Sequence, residues 1–269
     1  MIDWVADSAV RLERVRTERP LVHHITNFVT MNDVANVTLA IGATPVMAHA
    51  IEEVADVTRS AQALCLNLGT PSADRIDAML AAGQAAGRSG IPVVFDPVGV
   101  GATQFRAMAV RRLLEAFPIY AIRGNASEIG ALTGSQARMR GVDAGREPEN
   151  ASEAVRALAA LYHCTAAATG RLDIVGDGDS VLAIENGHHW FTQITGAGCM
   201  STAVVAAFAA VESDALGATV SALLCYGIAG EIAAERSQGI GSFKVELMDA
   251  LFALSLAQLR ERARVTLLS

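Results

Sequence analysis

Short apolar runs alternate with segments of helical periodicity through the first two-thirds of the chain, and this alternation restricts the possible folds severely. Continuous apolar runs indicate strands buried on both faces, and the intervening helices indicate a parallel sheet covered on both sides. The predicted strands are TPVM (44–47), ALCLNL (63–68), IPVVFD (91–96), IYAIRG (119–124) and CTAAAT (164–169). The predicted helices among them are 31–41, 51–60, 73–88, 105–116 and 151–162.

The last third has a different pattern. The stretch RLDIVGDGDSVLAIENGHHWFTQI (171–194) contains three short runs punctuated by Asp-Gly and Asn-Gly, which predicts an antiparallel meander at the sheet edge. The adjacent His188 and His189 are expected to mark a hairpin there. Three helical patterns follow, at 199–211, 215–236 and 243–264.

No linker rich in Pro, Gly and Ser divides the 269 residues, and the polar stretch 135–150 is expected to be a surface excursion. We therefore predict one α/β domain over residues 1–269, with a mostly parallel central sheet, helices on both faces and an antiparallel edge meander.

Composition narrows the functional classes. Hydrophobic residues make up 52% of the chain, enough for a sizeable core, and the net charge is -7 with 21 Lys and Arg residues, which argues against nucleic acid or an anionic membrane surface as the main partner. The uncharged stretch 186–211 has too short an apolar part to span a membrane and favours a buried helix. Four cysteines without a CxxC pair, and an N-terminus without a signal-peptide pattern, favour the cytoplasm.

Polar residues and glycines recur where the predicted strands end. They are Gly69, Asp96, Arg123 and Thr169, and Asn125 opens the helix that follows Arg123. An Asp at a strand end before Pro is more often a turn residue or a helix cap than a ligand-binding residue. Because parallel strands end at one edge of a sheet, where ligands bind, the recurrence is stronger evidence than any one residue.

The segment ITGAGCMST (194–202) is the sharpest local pattern. Gly196 and Gly198 precede a helix whose free N–H groups and dipole suit a phosphate or an oxyanion. Cys199 is expected as the first or second residue of this helix, where the dipole lowers the pKa of a thiol. The alternatives are close packing of the loop and a cysteine that acts as a small buried hydrophobe.

Six segments in this order resemble those of hydroxyethylthiazole kinases, members of the ribokinase-like superfamily: LVHHITNFVTMNDVANVTLAIGATPVM, LNLGT, FDPVGVGAT, IRGNASEI, ATG and TGAGC. The resemblance runs from about Pro20 to the last helix. It implies a ribokinase-like fold and phosphorylation of the hydroxyethyl group of 4-methyl-5-(2-hydroxyethyl)thiazole by ATP and Mg²⁺, a salvage step that feeds thiamine biosynthesis. It also implies a homotrimer with thiazole pockets at the subunit contacts.

The resemblance assigns roles to individual residues. Met47 and Gly196 match substrate-contact positions, and Asn27 and Gly69 are expected to line the thiazole pocket. Cys199 stands where sugar kinases of the superfamily carry an Asp as base, so the cysteine is expected to face the hydroxyl that is phosphorylated. The glycines of the loop would stabilise charge on the transferred phosphoryl group.

The nucleotide and metal residues follow from the same resemblance. Asn125-x-x-Glu128 resembles the NxxE element that helps to hold magnesium near the phosphates, and Asp96 lies in the same region. Both carboxylates are expected to act partly through water. The residues expected at ATP are Arg123, Thr169, Asn125 and Gly198.

Three other functions stay open at this stage. A cysteine hydrolase or acyl transferase would use Cys199 as nucleophile and would need a histidine base, for which no partner stands out by pattern. A hydroxymethylpyrimidine kinase is disfavoured by Cys199 in place of Asp and by the HHITN block. A nucleotide-binding regulator without turnover is the third.

Overall fold

The computed structural model describes residues 3–134 and 147–268. Within these ranges the strands are β1 (Leu21–Ile25), β2 (Thr44–Val46), β3 (Ala63–Asn67), β4 (Val93–Asp96), β5 (Ala121–Asn125), β6 (Thr165–Thr169), β7 (Asp173–Gly176), β8 (Val181–Ile184) and β9 (Val265–Leu267). The α-helices are α1 (Trp4–Glu18), α2 (Met31–Ile41), α3 (Val54–Ser60), α4 (Ala73–Ser89), α5 (Gln104–Ala116), α6 (Ala126–Leu132), α7 (Glu147–Tyr162), α8 (Ala197–Ala209), α9 (Ala215–Arg236), α10 (Ile240–Ala253) and α11 (Leu256–Arg262). A 3₁₀ helix spans His189–Gln193.

The strands form one mixed sheet in the order β2-β1-β3-β4-β5-β6-β7-β8-β9. Neighbours from β2 to β6 are parallel, and the pairs β6–β7, β7–β8 and β8–β9 are antiparallel. One apolar core lies on each face: the first contains residues of α1, α2 and α8 to α10, and the second contains residues of α4, α5 and α7. The predicted doubly covered sheet is therefore confirmed.

Strand β1 was absent from the predicted strands because two histidines interrupt its apolar pattern. Both side chains are fully buried. The ring nitrogens of His23 lie 2.9 Å from the hydroxyl of Thr58 and 2.9 Å from the carbonyl oxygen of Ala48, and Nε2 of His24 lies 3.2 Å from the hydroxyl of Thr38. Hydrogen bonds thus allow polar rings to occupy a central strand.

The predicted edge meander is correct for two of its three runs, which form β7 and β8. The third run was expected to begin at a hairpin marked by His188 and His189, and this prediction was wrong. His188 instead caps the 3₁₀ helix, where its Nδ1 accepts a hydrogen bond from the backbone N–H of Trp190 at 3.3 Å. The third antiparallel strand is β9, supplied by the C-terminal residues Val265–Leu267.

One of the C-terminal helical patterns differs from the expectation. The pattern at 243–264 is two helices, because the chain leaves α10 at Leu254 and Ser255 begins α11 with a capping box. Helix α9 matches its predicted bounds and is long and apolar enough to cross a membrane, but 89% of its apolar window is buried inside the protein. It therefore packs as a core helix. Of the predicted surface excursion, residues 135–146 lie outside the described residues.

Candidate active site

The parallel strands bring the predicted polar residues to one edge of the sheet. Asn67 on β3 is the register partner of Asp96 on β4, and Asn125 on β5 is the partner of Thr169 on β6. Helix α8 begins at the same edge, because Cys199 in its first turn contacts Asn67. The carboxyl edge of a parallel sheet is where such folds bind ligands.

Asp96 is 1% exposed, at the end of β4. Its Oδ2 accepts hydrogen bonds from Nδ2 of Asn67 at 2.8 Å and from the hydroxyl of Thr202 at 2.9 Å, and lies 3.9 Å from Nη1 of Arg123. Its Oδ1 has no hydrogen-bond partner in the described part of the chain. Burial raises the pKa of Asp96 to about 6 against the opposing charge of Arg123, and the charge of Glu128 adds to the rise.

Glu128 is the third residue of α6 and forms a capping box with the N-cap residue Asn125. The backbone N–H of Glu128 donates to Oδ1 of Asn125 at 2.9 Å, and the N–H of Asn125 donates to Oε2 of Glu128 at 2.8 Å. Oε1 of Glu128 accepts from the N–H of Gly99 at 2.8 Å. The capping bonds fix this carboxylate at the carboxyl end of β5, beside the N-terminus of α6.

The donor set can be compared with the needs of Mg²⁺, which keeps several waters and binds through one or two carboxylates plus substrate phosphates. No group of three or more His, Cys, Asp or Glu side chains that could hold a metal occurs within residues 3–134 and 147–268. The free Oδ1 of Asp96, with the carboxylate of Glu128 near enough to raise its pKa, fits that mode of binding. Asp96 and Glu128 would supply only part of the coordination of Mg²⁺, and water and phosphate oxygens would supply the rest.

Arg123 presents a partly satisfied guanidinium to the same edge. Its Nη2 donates a hydrogen bond to the hydroxyl of Thr169, while its buried Nε has no partner among the described residues. The guanidinium lies directly against Gly198, because a Cβ atom built there would be 2.6 Å from Nη1. A guanidinium beside a helix N-terminus suits a phosphate group.

Asp173, which was not singled out from the sequence, lies near enough to Arg123 for the positive charge to act on its carboxyl group. Its Oδ1 accepts from the backbone N–H of Gly170 at 2.9 Å. Burial raises the pKa of Asp173 to about 6, against the hydrogen bond from Gly170 and the charge of Arg123. In the sequence Asp173 belongs to the antiparallel edge meander, and nothing in that pattern indicates that it lies near the carboxyl ends of the parallel strands.

The glycine loop before α8 is fixed by close packing and by backbone conformation. Gly196 is the N-cap of α8 with φ of 91°, in the left-handed region, and a Cβ there would lie 2.7 Å from Cγ2 of Thr30. The hydroxyl of Tyr226 donates to the carbonyl oxygen of Ala197 at 3.0 Å, and its ring stacks on Phe191 with centroids 4.8 Å apart. The loop is therefore closely packed, and it leads directly into the N-terminus of α8.

Cys199 is the third residue of α8, not the first or second as predicted. Its Sγ accepts hydrogen bonds from Nδ2 of Asn27 and from Nδ2 of Asn67, each at 3.3 Å. The prediction of a lowered pKa was also wrong. Burial raises the pKa of the Cys199 thiol and the charge of Asp96 raises it further, against the opposing effect of the polar side chains of Thr30, Asn27 and Asn67.

The predicted substrate side of the site lies around Asn27. Gly69 packs against it, since a Cβ on Gly69 would lie 2.6 Å from Cβ of Asn27. Asn67, also missed from the sequence, contacts Asn27, Gly69 and Cys199. Met47 follows β2, two strands from β3 in the sheet order, and packs partly buried on the core. The structure thus joins Asn27, Gly69 and Cys199, and places Met47 further along the same edge.

Residues 12–257 match the model of the hydroxyethylthiazole kinase family. This chain belongs to that family. The hydroxyethylthiazole kinase of Chloroflexus aggregans is 52% identical over 257 residues, which are 96% of this chain and 92% of the relative. The structure of the hydroxyethylthiazole kinase protein from Pyrococcus horikoshii OT3 superposes with a TM-score of 0.90 at 40% identity, covering 97% of this chain and 99% of that one. A ribokinase-like superfamily protein from Enterococcus faecalis shares the fold, with a TM-score of 0.62 at 11% identity over 90% of this chain and 86% of its own.

Membership of the hydroxyethylthiazole kinase family makes the chain a kinase and decides between the interpretations left open by the sequence. The geometry agrees, because the hydrogen bonds of Sγ of Cys199 in the described residues come from two carboxamides and not from a histidine. A cysteine hydrolase would need a histidine base in contact with its nucleophile.

Proposed function

We propose that this protein phosphorylates the hydroxyethyl group of 4-methyl-5-(2-hydroxyethyl)thiazole with ATP, giving the thiazole phosphate used in thiamine biosynthesis. The observation that carries the proposal is the meeting of Cys199, Asp96 and Arg123 at the N-terminus of α8 in a member of the hydroxyethylthiazole kinase family. The alcohol would approach from the side of Asn27, Gly69 and Cys199. The phosphates of ATP would lie beside Arg123 and the N-terminus of α8.

The residues of the chain would act chiefly by positioning and by electrostatics, as phosphoryl transfer requires. The N–H groups at the start of α8 and the guanidinium of Arg123 stabilise negative charge on the transferred phosphoryl group. Thr169 orients that guanidinium, and Asn125 holds the carboxylate of Glu128. Because its pKa is raised, Cys199 holds its proton at neutral pH and orients the alcohol more than it deprotonates it.

Mg²⁺, when bound with ATP, would neutralise phosphate charge, and Asp96 and Glu128 are the residues we assign to hold it, partly through water. The free Oδ1 of Asp96 supports this assignment.

We further propose a cytoplasmic homotrimer with the thiazole pocket at the subunit contacts. Apolar side chains stand exposed next to Asn27: Phe28 is 68% exposed and Val29 is 65% exposed. Exposed apolar residues beside a pocket are typical of a shared interface. The four free cysteines, three of them buried, suit a reducing compartment.

An assay that separates substrates tests the reaction. Purified protein is incubated with ATP, MgCl₂ and either hydroxyethylthiazole or hydroxymethylpyrimidine, and the products are identified by mass alongside released ADP. We expect the thiazole phosphate in equal amount to ADP and little turnover of the pyrimidine. Preference for the pyrimidine, or ADP binding without turnover of either alcohol, would contradict the proposal.

A further inference from the structure

The sulfur of Cys199 is held by two carboxamides whose own orientations are fixed by backbone groups. We propose that Asn67 is a positioning residue of the phosphoryl transfer: with Asn27 it fixes the sulfur as a hydrogen-bond acceptor and connects it to the carboxylate of Asp96. This inference rests on the kinase reaction proposed above.

The backbone dictates how Asn27 is oriented. Its Oδ1 accepts hydrogen bonds from the N–H groups of Val29 at 3.1 Å and Thr30 at 3.0 Å. The amide nitrogen must therefore face the other way, where it donates to Oδ1 of Asn67 at 2.9 Å and to Sγ of Cys199 at 3.3 Å. Both N–H bonds of Asn27 are used.

Asn67 is oriented in the same manner. Its Oδ1 accepts from the backbone N–H of Gly69 at 3.0 Å and from Asn27. Its Nδ2 then donates one hydrogen to Oδ2 of Asp96 at 2.8 Å and the other to Sγ of Cys199 at 3.3 Å. Asn67 is 2% exposed, and its carboxamide has every donor and acceptor engaged. A one-residue change at this position breaks the connection between the cysteine and the carboxylate.

This arrangement limits where the thiol hydrogen can point. A sulfur that accepts two N–H groups must direct its own hydrogen away from them. Chains of hydrogen bonds also strengthen one another in a buried site. Because catalysis by orientation loses about 10²-fold for a displacement of about 1 Å, freeing the Cys199 side chain should slow turnover while ATP binding persists.

Substitutions of Asn67 distinguish positioning from packing. We expect Asn67→Ala to lower kcat by about 10- to 100-fold, with the KM for ATP changed by less than about threefold. Asn67→Asp keeps the shape but removes both N–H donors and adds a carboxylate beside Asp96, so it should be slower than Asn67→Ala. If Asn67 only fills space, Asn67→Asp should instead be faster than Asn67→Ala. Asn36→Ala is the matched control, because Asn36 lies on the exposed side of α2 and its amide donates hydrogen bonds to Asn32.

A double-mutant cycle then asks whether Asn67 acts through Cys199. In a Cys199→Ala background the penalty of Asn67→Ala on kcat should shrink by at least about fivefold, because the sulfur that it positions is gone. Penalties that multiply would overturn the proposal. Thermal unfolding checks each variant, and Asn67→Ser replaces Asn67→Ala if the latter fails to fold. Failure of the parent to phosphorylate the thiazole would contradict the kinase proposal itself, whereas an active parent with multiplying penalties contradicts the role of Asn67 alone.

Discussion

The guanidinium of Arg123 occupies the space that a side chain at Gly198 would fill. A Cβ atom on residue 198 would lie 2.6 Å from Nη1 and 3.3 Å from Cζ of Arg123, well inside contact distance. The glycine therefore lets a cation reach the first turn of α8, where the helix dipole already favours an anion. The guanidinium of Arg123 and the N-terminus of α8 therefore create positive potential at the same place, because Gly198 has no side chain.

Gly198→Ala should displace Arg123 and weaken ATP binding. We expect the KM for ATP to rise by about tenfold, equivalent to about 1.4 kcal/mol, with a smaller change in the KM for the thiazole. Gly241→Ala is the matched control, because a Cβ at that exposed helical position meets nothing within 4 Å. An unchanged KM for ATP in the Gly198 variant would mean that Arg123 is not a nucleotide contact.

The buried carboxylate of Asp96 should make stability depend on pH. Its pKa is raised from 3.8 to about 6 in the folded protein, so folding favours the protonated form. The corresponding stabilisation is full below about pH 4 and is lost as the pH rises through about 6. An asparagine does not ionise, so the free energy of unfolding of Asp96→Asn should exceed that of the parent by about 2–3 kcal/mol near pH 8. Near pH 4 the two proteins should not show this difference.

Urea unfolding at both pH values, without ATP or Mg²⁺, measures that difference. Asp249→Asn, at an exposed position of α10, is the control for a general charge effect. An Asp96 variant whose stability relative to the parent is the same at both pH values would show that burial does not hold this carboxyl partly protonated.

Much of the fold could be predicted because local patterns agree with the tertiary structure. Helices 31–41 and 215–236 have their predicted bounds, the first ending at a left-handed Gly42 and the second beginning at an Asp214 cap. Strand β1 was not predicted because His23 and His24 interrupt its apolar run, although both ring nitrogens of His23 and Nε2 of His24 find hydrogen-bond partners inside the core. Periodicity contains no information about such partners.

The environment of Cys199 could not be predicted because it is built from distant strands. The two carboxamides on its sulfur are 172 and 132 residues away in the sequence. A helix start predicts a lowered thiol pKa, but burial and the charge of Asp96 oppose it and raise that pKa. The direction of the pKa shift therefore depends on how the ends of β1, β3 and β4 are arranged in space around the thiol.

Loss of either predicted magnesium ligand should alter the metal requirement. We expect Glu128→Gln to lower turnover strongly and to raise the Mg²⁺ concentration needed for half-maximal rate, and Asp96→Asn to act in the same direction. Initial rates over a magnesium series at saturating ATP measure the effect, with Glu115→Gln on the exposed side of α5 as control. The assignment is wrong if both variants keep the magnesium dependence of the parent.

The exposed apolar residues beside Asn27 should support a homotrimer. Phe28→Asp places a charge on a side chain that is 68% exposed in the single chain, and we expect it to dissociate the trimer and reduce activity. Phe105→Asp, on α5 and 48% exposed, is the control. Light scattering gives the mass of each variant. A monomeric parent that phosphorylates the thiazole at its full rate would contradict the shared pocket.

Replacement of Cys199 should change turnover far more than nucleotide affinity. Cys199→Ala removes the side chain that we propose faces the alcohol but leaves the N–H groups of the glycine loop, so ATP should still bind. Residual activity is expected, because phosphoryl transfer needs little help from a base, and the N–H groups of α8 and the guanidinium of Arg123 still stabilise the transferred group.

Cys199→Asp is the sharper test of the same side chain. A carboxylate there would meet the N–H donors of Asn27 and Asn67 that now bond the sulfur, and the N-terminus of α8 would favour its charge. It can also accept the proton of the alcohol, so we expect this variant to be at least as active as the parent. The nearby carboxylate of Asp96 opposes a second charge, and the gain should therefore increase with pH. If Cys199→Ala keeps full turnover, or if Cys199→Asp abolishes it in a folded protein, the cysteine is a packing residue and has no part in the transfer.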